Sequence, residues 1–443
     1  MRKGADPYVP GHGDLSYDVE HYDLTLTYAV PSNRLTGEAV LTCRALEKTS
    51  TLRLDLALKP TKVTVSGRAA KRFGWSSGTL TVTLPQAVEA GSQVTVKVVY
   101  GGNPAPLRKR GLDAAGWEEL EDGVIVASQP HGAPSWFPCN DRPSSKATYD
   151  LTITTGADYH VEFSGEPVSA RRSGSTRTWR FTQTERIPAY LATVQIGRYE
   201  VTEQQAVVPL RVVGPGNIRR NGFSASFGTQ PQMMAYFVDA FGPYPYSSYT
   251  AVITDDDLEI PLEAAALSTF GRNHASAEWE QVRLVAHEMA HQWFGNAVTA
   301  QTWKDIWLHE GFACYAEWLW SEESGGKSTA DRARHHHGKL ASGHDQPTSL
   351  ADPTTPHMFD DWVYKRGALT LHALRLTIGD DRFFDLLRAW VDKYSGKNVT
   401  TDDFLHMAAD HSPVDLRPLW NAWLFAEPLP PTLGMPDDQP GHH

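Results

Sequence analysis

The chain has 443 residues, 41% hydrophobic and 21% charged, which is the composition of an ordinary folded protein with room for two or three domains and excludes a largely disordered one. Its formal net charge of −11 argues against nucleic acid or an anionic membrane surface as a partner, and no apolar stretch approaches membrane-spanning length. Three cysteines, Cys43, Cys139 and Cys314, are odd in number and far apart, so no disulfide framework is expected and a reducing compartment fits best.

The N-terminus, Met1-Arg2-Lys3-Gly4, continues as Ala5-Asp6-Pro7-Tyr8 rather than as an apolar run, so no secretory signal is read and a cytoplasmic protein is expected. Through the first two hundred residues apolar side chains recur with period two. Leu24, Leu26 and Tyr28 form one set; Leu52, Leu54, Leu56 and Leu58 another; then Leu80, Val82 and Leu84; Val94, Val96 and Val98; and Tyr149, Leu151 and Ile153. Breaks such as Gly101-Gly102-Asn103-Pro104 separate them, which predicts a twisted antiparallel β domain with one wet face. That domain is mostly scaffold, with Gln129 the candidate to reach a cleft from one of its loops. Near Val208-Pro209 to Asn217 the pattern changes, and after the turns at Phe241-Gly242-Pro243-Tyr244-Pro245 it becomes helical. The expected division is a β-rich domain over residues 1–205 and a mainly helical one over residues 206–443.

In the helical part the chain reads His287-Glu288-Met289-Ala290-His291. Residues at i and i+4 share a helix face, so both imidazoles can address one cation. Glu288 beside them suits a general base, able to take a proton from a water that zinc acidifies. Ser276 is placed to cap this helix, with Glu278 and Glu280 at the positive end of its dipole and Gly295-Asn296 as its stop. A third ligand is expected from the next helix, and Glu310 in Trp307-Leu308-His309-Glu310-Gly311 is the best candidate. Glu317, seven residues on and therefore on the same face, could hydrogen-bond a ligating histidine. His335-His336-His337 reads as a solvated polar run between helices. Helical spacing resumes after Tyr364 in Ala368, Leu369, Leu371 and Leu374, and again at Phe383, Phe384, Leu386, Leu387 and Trp390. The tail after Pro428, Pro430 and Pro431 looks like a frayed end.

The run His287 to Asn296 with Trp307 to Ala313 resembles the gluzincin signature of the M1 aminopeptidase family, with His309 where asparagine is usual. Gln129, with Trp136-Phe137-Pro138-Cys139-Asn140-Asp141-Arg142-Pro143 and Lys146, is similar to the family segment that helps hold a substrate amine. Tyr364-Lys365-Arg366-Gly367 is similar to the element supplying a transition-state tyrosine, with Arg366 in place of lysine. The family's Gly-x-Met-Glu-Asn motif corresponds to Ile260-Pro261-Leu262-Glu263-Ala264, which keeps Glu263 but loses the glycine and asparagine, and Pro261 has no N–H to offer an extended substrate.

This resemblance implies an α+β multidomain fold, an antiparallel β saddle domain followed by a thermolysin-like catalytic domain, in a short form without the further helical domain of many relatives. It implies one zinc ion per chain on His287, His291 and Glu310, with Glu288 and Tyr364 catalytic and Glu263 and Gln129 binding the substrate amine. The expected function is a zinc aminopeptidase acting on peptides. A zinc endopeptidase or epoxide hydrolase on the same scaffold, or a non-catalytic peptide-binding protein, are the alternatives. With no helical cover the cleft is expected to lack a carboxylate clamp, Arg366 being the first residue to suspect if one exists.

Overall fold

A computed structural model describes residues 5–218, 222–343 and 348–434. The first four residues and the tail beyond 434, where fraying is expected, lie outside the described residues. The chain forms two compact units, Met1–Phe223 with Tyr246–Ala275, and Ser224–Pro245 with Ser276–His443.

The first unit is built on an eight-stranded sheet, in order Glu166–Ser173, Thr176–Pro188, Lys146–Gly156, Tyr17–Ala29, Arg34–Ala45, Gln93–Gly102, Lys59–Val65 and Arg68–Ala69. Its alternation is what the period-two pattern requires: Leu24, Leu26 and Tyr28 are buried while Thr25 and Thr27 between them face water. The sheet is antiparallel as expected except at one pairing, where Tyr17–Ala29 and Lys146–Gly156 run parallel, with Tyr22 opposite Tyr149 and Leu24 opposite Leu151. Period two encodes the buried face but not strand direction, and the long stretch of chain between these strands permits the crossover that a hairpin forbids. The in-phase pairing stacks Tyr22 on Tyr149 at 4.8 Å, with Phe137 edge-on at 5.4 Å. Asn140, three residues on, donates from Nδ2 to the carbonyls of Asp14 and Tyr17, so this segment straps the start of the first strand.

A five-stranded mixed sheet completes the part of this unit that bears on function, in order Glu200–Gln204, Leu210–Gly214, Tyr249–Ile253, Leu267–Phe270 and Leu262–Ala264. Val213, Val252 and Leu267 form its core. The edge strand carries Glu263 opposite Ser268.

The second unit is helical: α1 (Gln230–Phe241), α2 (Trp279–Ala290), α3 (Trp307–Glu323), α4 (Thr329–Ser342), α5 (Asp361–Ile378), α6 (Asp380–Tyr394) and α7 (Thr401–Asp410). Helix α3 is buried on every side from Trp307 to Ser321, so it is the central element rather than an amphipathic surface one. It meets α5 backbone to backbone, since a Cβ on Gly311 would lie 2.8 Å from the Gly367 Cα. Among the described residues no helix is long and apolar enough to cross a membrane.

One sequence expectation is overturned here. The histidine run is not a connection between helices but part of α4, whose start is capped by Ser328 Oγ accepting from the Asp331 amide. Nor is the run wholly solvated: His336 stacks on Trp318 at 5.3 Å and His337 Nε2 donates to the Pro430 carbonyl at 2.7 Å. Polar composition hid a helix whose nucleating signal was its cap. Arg366, the residue to suspect only if a carboxylate clamp existed, is fully buried and already engaged. Its guanidinium donates to the carbonyls of Trp423, Glu427, Ala422, Ala426 and Pro428 at 2.6–3.2 Å. The helix Arg417–Trp420 runs into a π-turn over Asn421–Phe425, and a helix end leaves carbonyls without intrahelical donors. Arg366 supplies those donors and opposes the negative end of the dipole.

Arg366→Met should therefore leave the buried Trp423 carbonyl and the part-buried carbonyls around it without these donors and lower unfolding stability by about 2–4 kcal/mol. Chemical denaturation followed by tryptophan fluorescence measures this, and an unchanged midpoint would remove Arg366 from that role.

Candidate metal centre

Helix α2 carries the first pair of ligand candidates. The expected Ser276 cap is not formed: Glu278 occupies the capping position in extended backbone, and Ser276 Oγ accepts from the Glu278 amide at 3.2 Å, closing a turn just before the helix. The helix also ends earlier than Gly295, at Ala290, but the His291 amide still donates to the His287 carbonyl at 3.1 Å, which keeps both imidazoles on one face. Arg283, four residues before His287, continues that face.

Opposite it, α3 presents Glu310, Cys314 and Glu317 at i, i+4 and i+7. The Oε2 of Glu310 lies 3.3 Å from His287 Nε2 and 3.3 Å from His291 Nε2. All three groups are buried, and their ligand atoms lie within 4.8 Å of one another. Tetrahedral zinc bonds of about 2.0–2.1 Å would put donor atoms about 3.3–3.4 Å apart, so both measured separations suit a single zinc ion. Each imidazole is oriented through its other nitrogen, His287 Nδ1 by Glu317 Oε1 at 2.8 Å and His291 Nδ1 by the Phe294 carbonyl at 3.0 Å. Donating from Nδ1 leaves the Nε2 lone pairs for a metal.

The charges fit a cation as well. Burial alone would raise the carboxyl of Glu310, but His291 and His287 beside it hold it well below the usual carboxylate range. Burial likewise acts upward on Glu317, and is outweighed by Lys365, Arg283 and His287. Burial works against protonating His287, whereas hydrogen bonds to Glu310 and Glu317 raise it. The Arg283 guanidinium reaches Glu317 Oε2 at 3.2 Å, and Lys365 Nζ donates to Cys314 Sγ at 3.2 Å on the same side.

Glu288, next to His287, is buried at 3% exposure. Tyr364, on the first turn of α5, stacks its ring on His287 at 5.8 Å and 19°. The Gly311–Gly367 contact explains how this comes about, since each glycine lies within three residues of Glu310 or Tyr364. In the first unit, Gln129 Nε2 donates to Glu263 Oε1 at 2.5 Å. With its amide nitrogen so engaged, the Gln129 oxygen remains an acceptor.

The sequence profile of the Peptidase family M1 domain matches residues 225–423, and that of the Peptidase M1 N-terminal domain matches residues 18–191. An M1 zinc metallopeptidase from Deinococcus radiodurans is 32% identical, with a TM-score of 0.87 over 97% of this chain and 99% of that one. The chain belongs to peptidase family M1. A variant of the Deinococcus radiodurans enzyme, solved with a Tyr-Ser-Ala substrate, matches this M1 chain at 30% identity and a TM-score of 0.88, again over 97% and 99% of the two chains. Human Aminopeptidase RNPEPL1 is 31% identical over 352 residues, 74% of this chain and 46% of its own length. The M1 chain thus spans about half the length of that curated relative.

Sequence reading of this M1 chain treated Gly295 as a helix stop only. Its φ of +114° is a conformation that side chains resist, and a Cβ there would lie 3.2 Å from His291 Nδ1 and 3.3 Å from the His309 ring. Arg283 was missed because a single arginine at i−4 from a histidine is an ordinary helix-surface pattern. The Phe294 carbonyl could not be found from side-chain identity at all.

Gly295→Ala should cost at least about 1 kcal/mol of stability and displace the His291 ring. A chelator-competition titration should then read weaker zinc binding than for the natural protein. Equal affinities would mean that the loop absorbs the methyl without moving the imidazole.

Proposed function

We propose that the protein is a zinc-dependent aminopeptidase that hydrolyses the first peptide bond of peptides, with one zinc ion per chain held by His287, His291 and Glu310. The observation that carries this is the pair of 3.3 Å separations from one Glu310 oxygen to the two imidazole nitrogens, inside a buried site with a carboxylate next door. When bound, zinc supplies Lewis acidity that polarises the scissile carbonyl and lets water ionise near neutral pH.

The remaining roles fall to the chain's own groups. Glu288 takes the proton of the attacking water and later returns it to the leaving amine. Glu317 fixes the tautomer of His287 by accepting from Nδ1. Tyr364 is half-buried beside His287, and its phenol donates to the former carbonyl oxygen as negative charge collects there. Glu263 and the Gln129 oxygen receive the substrate's α-ammonium, a group that is costly to bury unpaired. Support for the last assignment comes from the Gln129–Glu263 hydrogen bond, and from the Tyr-Ser-Ala substrate named for a relative. The edge position of Leu262–Ala264 also answers the loss of the family's glycine, because an extended peptide can pair with a sheet edge even though Pro261 gives no N–H. The same reading takes the protein to be cytoplasmic, consistent with Cys43, Cys139 and Cys314 standing apart as free, buried thiols.

Glu288→Gln should retain zinc and lose about 10²–10⁴-fold in kcat, as removal of a general base does. In the natural protein a free-amine peptide should be cleaved and its N-acetylated twin should not; equal rates on both would point to an endopeptidase instead. Tyr364→Phe should lower kcat by about 10²–10³-fold with KM nearly unchanged. Steady-state kinetics decide that assignment, and an undiminished kcat would reduce Tyr364 to a packing residue.

A further inference from the structure

His309 stands where the family usually has asparagine, immediately before Glu310. Its side chain is buried at 1% exposure, and its Nε2 accepts from the Ala300 amide at 2.8 Å. An accepting Nε2 in a neutral ring requires the proton on Nδ1. Ala300 belongs to a short parallel pair in which Thr299–Ala300 lies beside Asn398–Val399, so its amide is set in a fixed piece of backbone. The same ring also borders Gly295, whose missing Cβ would meet His309 Cγ at 3.3 Å and His291 Nδ1 at 3.2 Å. Gly295 therefore lies between the two imidazoles, and the carbonyl that orients His291 belongs to the residue just before it, Phe294.

We propose that His309 is a positioning residue for zinc, bracing the loop between α2 and α3 so that the His291 ring and the Glu310 carboxylate hold their spacing. The brace acts on both sides of the centre. Through Ala300 it ties the first turn of α3, which carries Glu310, to the loop. Through contact with Gly295 it backs the peptide that fixes His291. Without an acceptor at the Nε2 position the Ala300 amide has to find another partner, and the loop moves relative to Glu310. Loss of such outer support typically weakens metal binding about 10–100-fold.

The inference rests on the zinc reading given above, and the test separates the two. His309→Gln and His309→Met introduce side chains of similar length that differ in having or lacking an acceptor near the Nε2 position. Zinc affinity is measured by competition with a chromophoric chelator, and thermal unfolding of the metal-free proteins is measured alongside. The expected result is that the Gln variant binds zinc within about 3-fold of the natural protein and the Met variant about 10–100-fold more weakly, with similar metal-free melting temperatures. Equal affinities for the two variants overturn the role of His309, as does a loss in the Met variant matched by collapse of its metal-free stability. Absence of zinc binding by the natural protein would instead sink the metal reading itself.

Discussion

Two carboxylates buried on one face of one helix set the terms for the second unit. Glu310 and Glu317 are each 2% exposed, and a buried carboxylate without a compensating charge is expensive. Glu317 is answered by Arg283 from α2 and by the charge of Lys365 from α5, and it reaches His287 as well. Glu310 is answered by the two imidazoles. The compensating groups come from two other helices, Arg283 and the imidazoles from α2 and its C-terminal cap and Lys365 from α5, so satisfying α3 draws both against it. The geometry that suits a metal is thus also the geometry that keeps the central helix from carrying unpaired charge.

Close backbone packing makes this possible at short range. With Gly311 against Gly367 the α3 and α5 axes approach without side chains between them, and Tyr364 is carried to the ring of His287. Two residues beyond Tyr364 on the same helix, Arg366 closes the carbonyls of Ala422 to Pro428. Helix α5 therefore links a candidate catalytic phenol at its first turn to the anchoring of a distant segment. Disturbing that segment is expected to reach Tyr364 through a rigid element rather than through contact.

What could be read from sequence was what depends on local spacing. Period-two alternation placed Leu24, Leu26 and Tyr28 on one buried face, and helical spacing put His287 with His291 and Glu310 with Glu317. The parallel course of Tyr17–Ala29 and Lys146–Gly156 was not legible, because pairing across such a span leaves no mark on either strand. The role of Arg366 was not legible because its partners are main-chain carbonyls more than fifty residues away, which no side-chain pattern encodes. The histidine run was misread because its helix is announced by Ser328 and not by apolar periodicity. The surroundings of Gly295 and His309 were not legible for a related reason: Gly295 was read only as a helix stop and His309 only as a departure from the usual asparagine, because the close approaches they make exist only in the folded loop.

The order in which the chain visits its two units limits how they can be exchanged. The first unit is completed only by Tyr246–Ala275, after the chain has already contributed Ser224–Pro245 to the second. No single cut yields both units intact. A fragment ending at Phe223 lacks three of the five strands of the mixed sheet and loses Glu263, the partner of Gln129, while the complementary fragment carries those strands without their neighbours. Recombination between relatives at one crossover point therefore splits the mixed sheet wherever it falls between 223 and 267. A crossover anywhere between 129 and 263 also parts Gln129 from Glu263, so the two amine-binding candidates come from one parent only when the crossover lies outside that stretch.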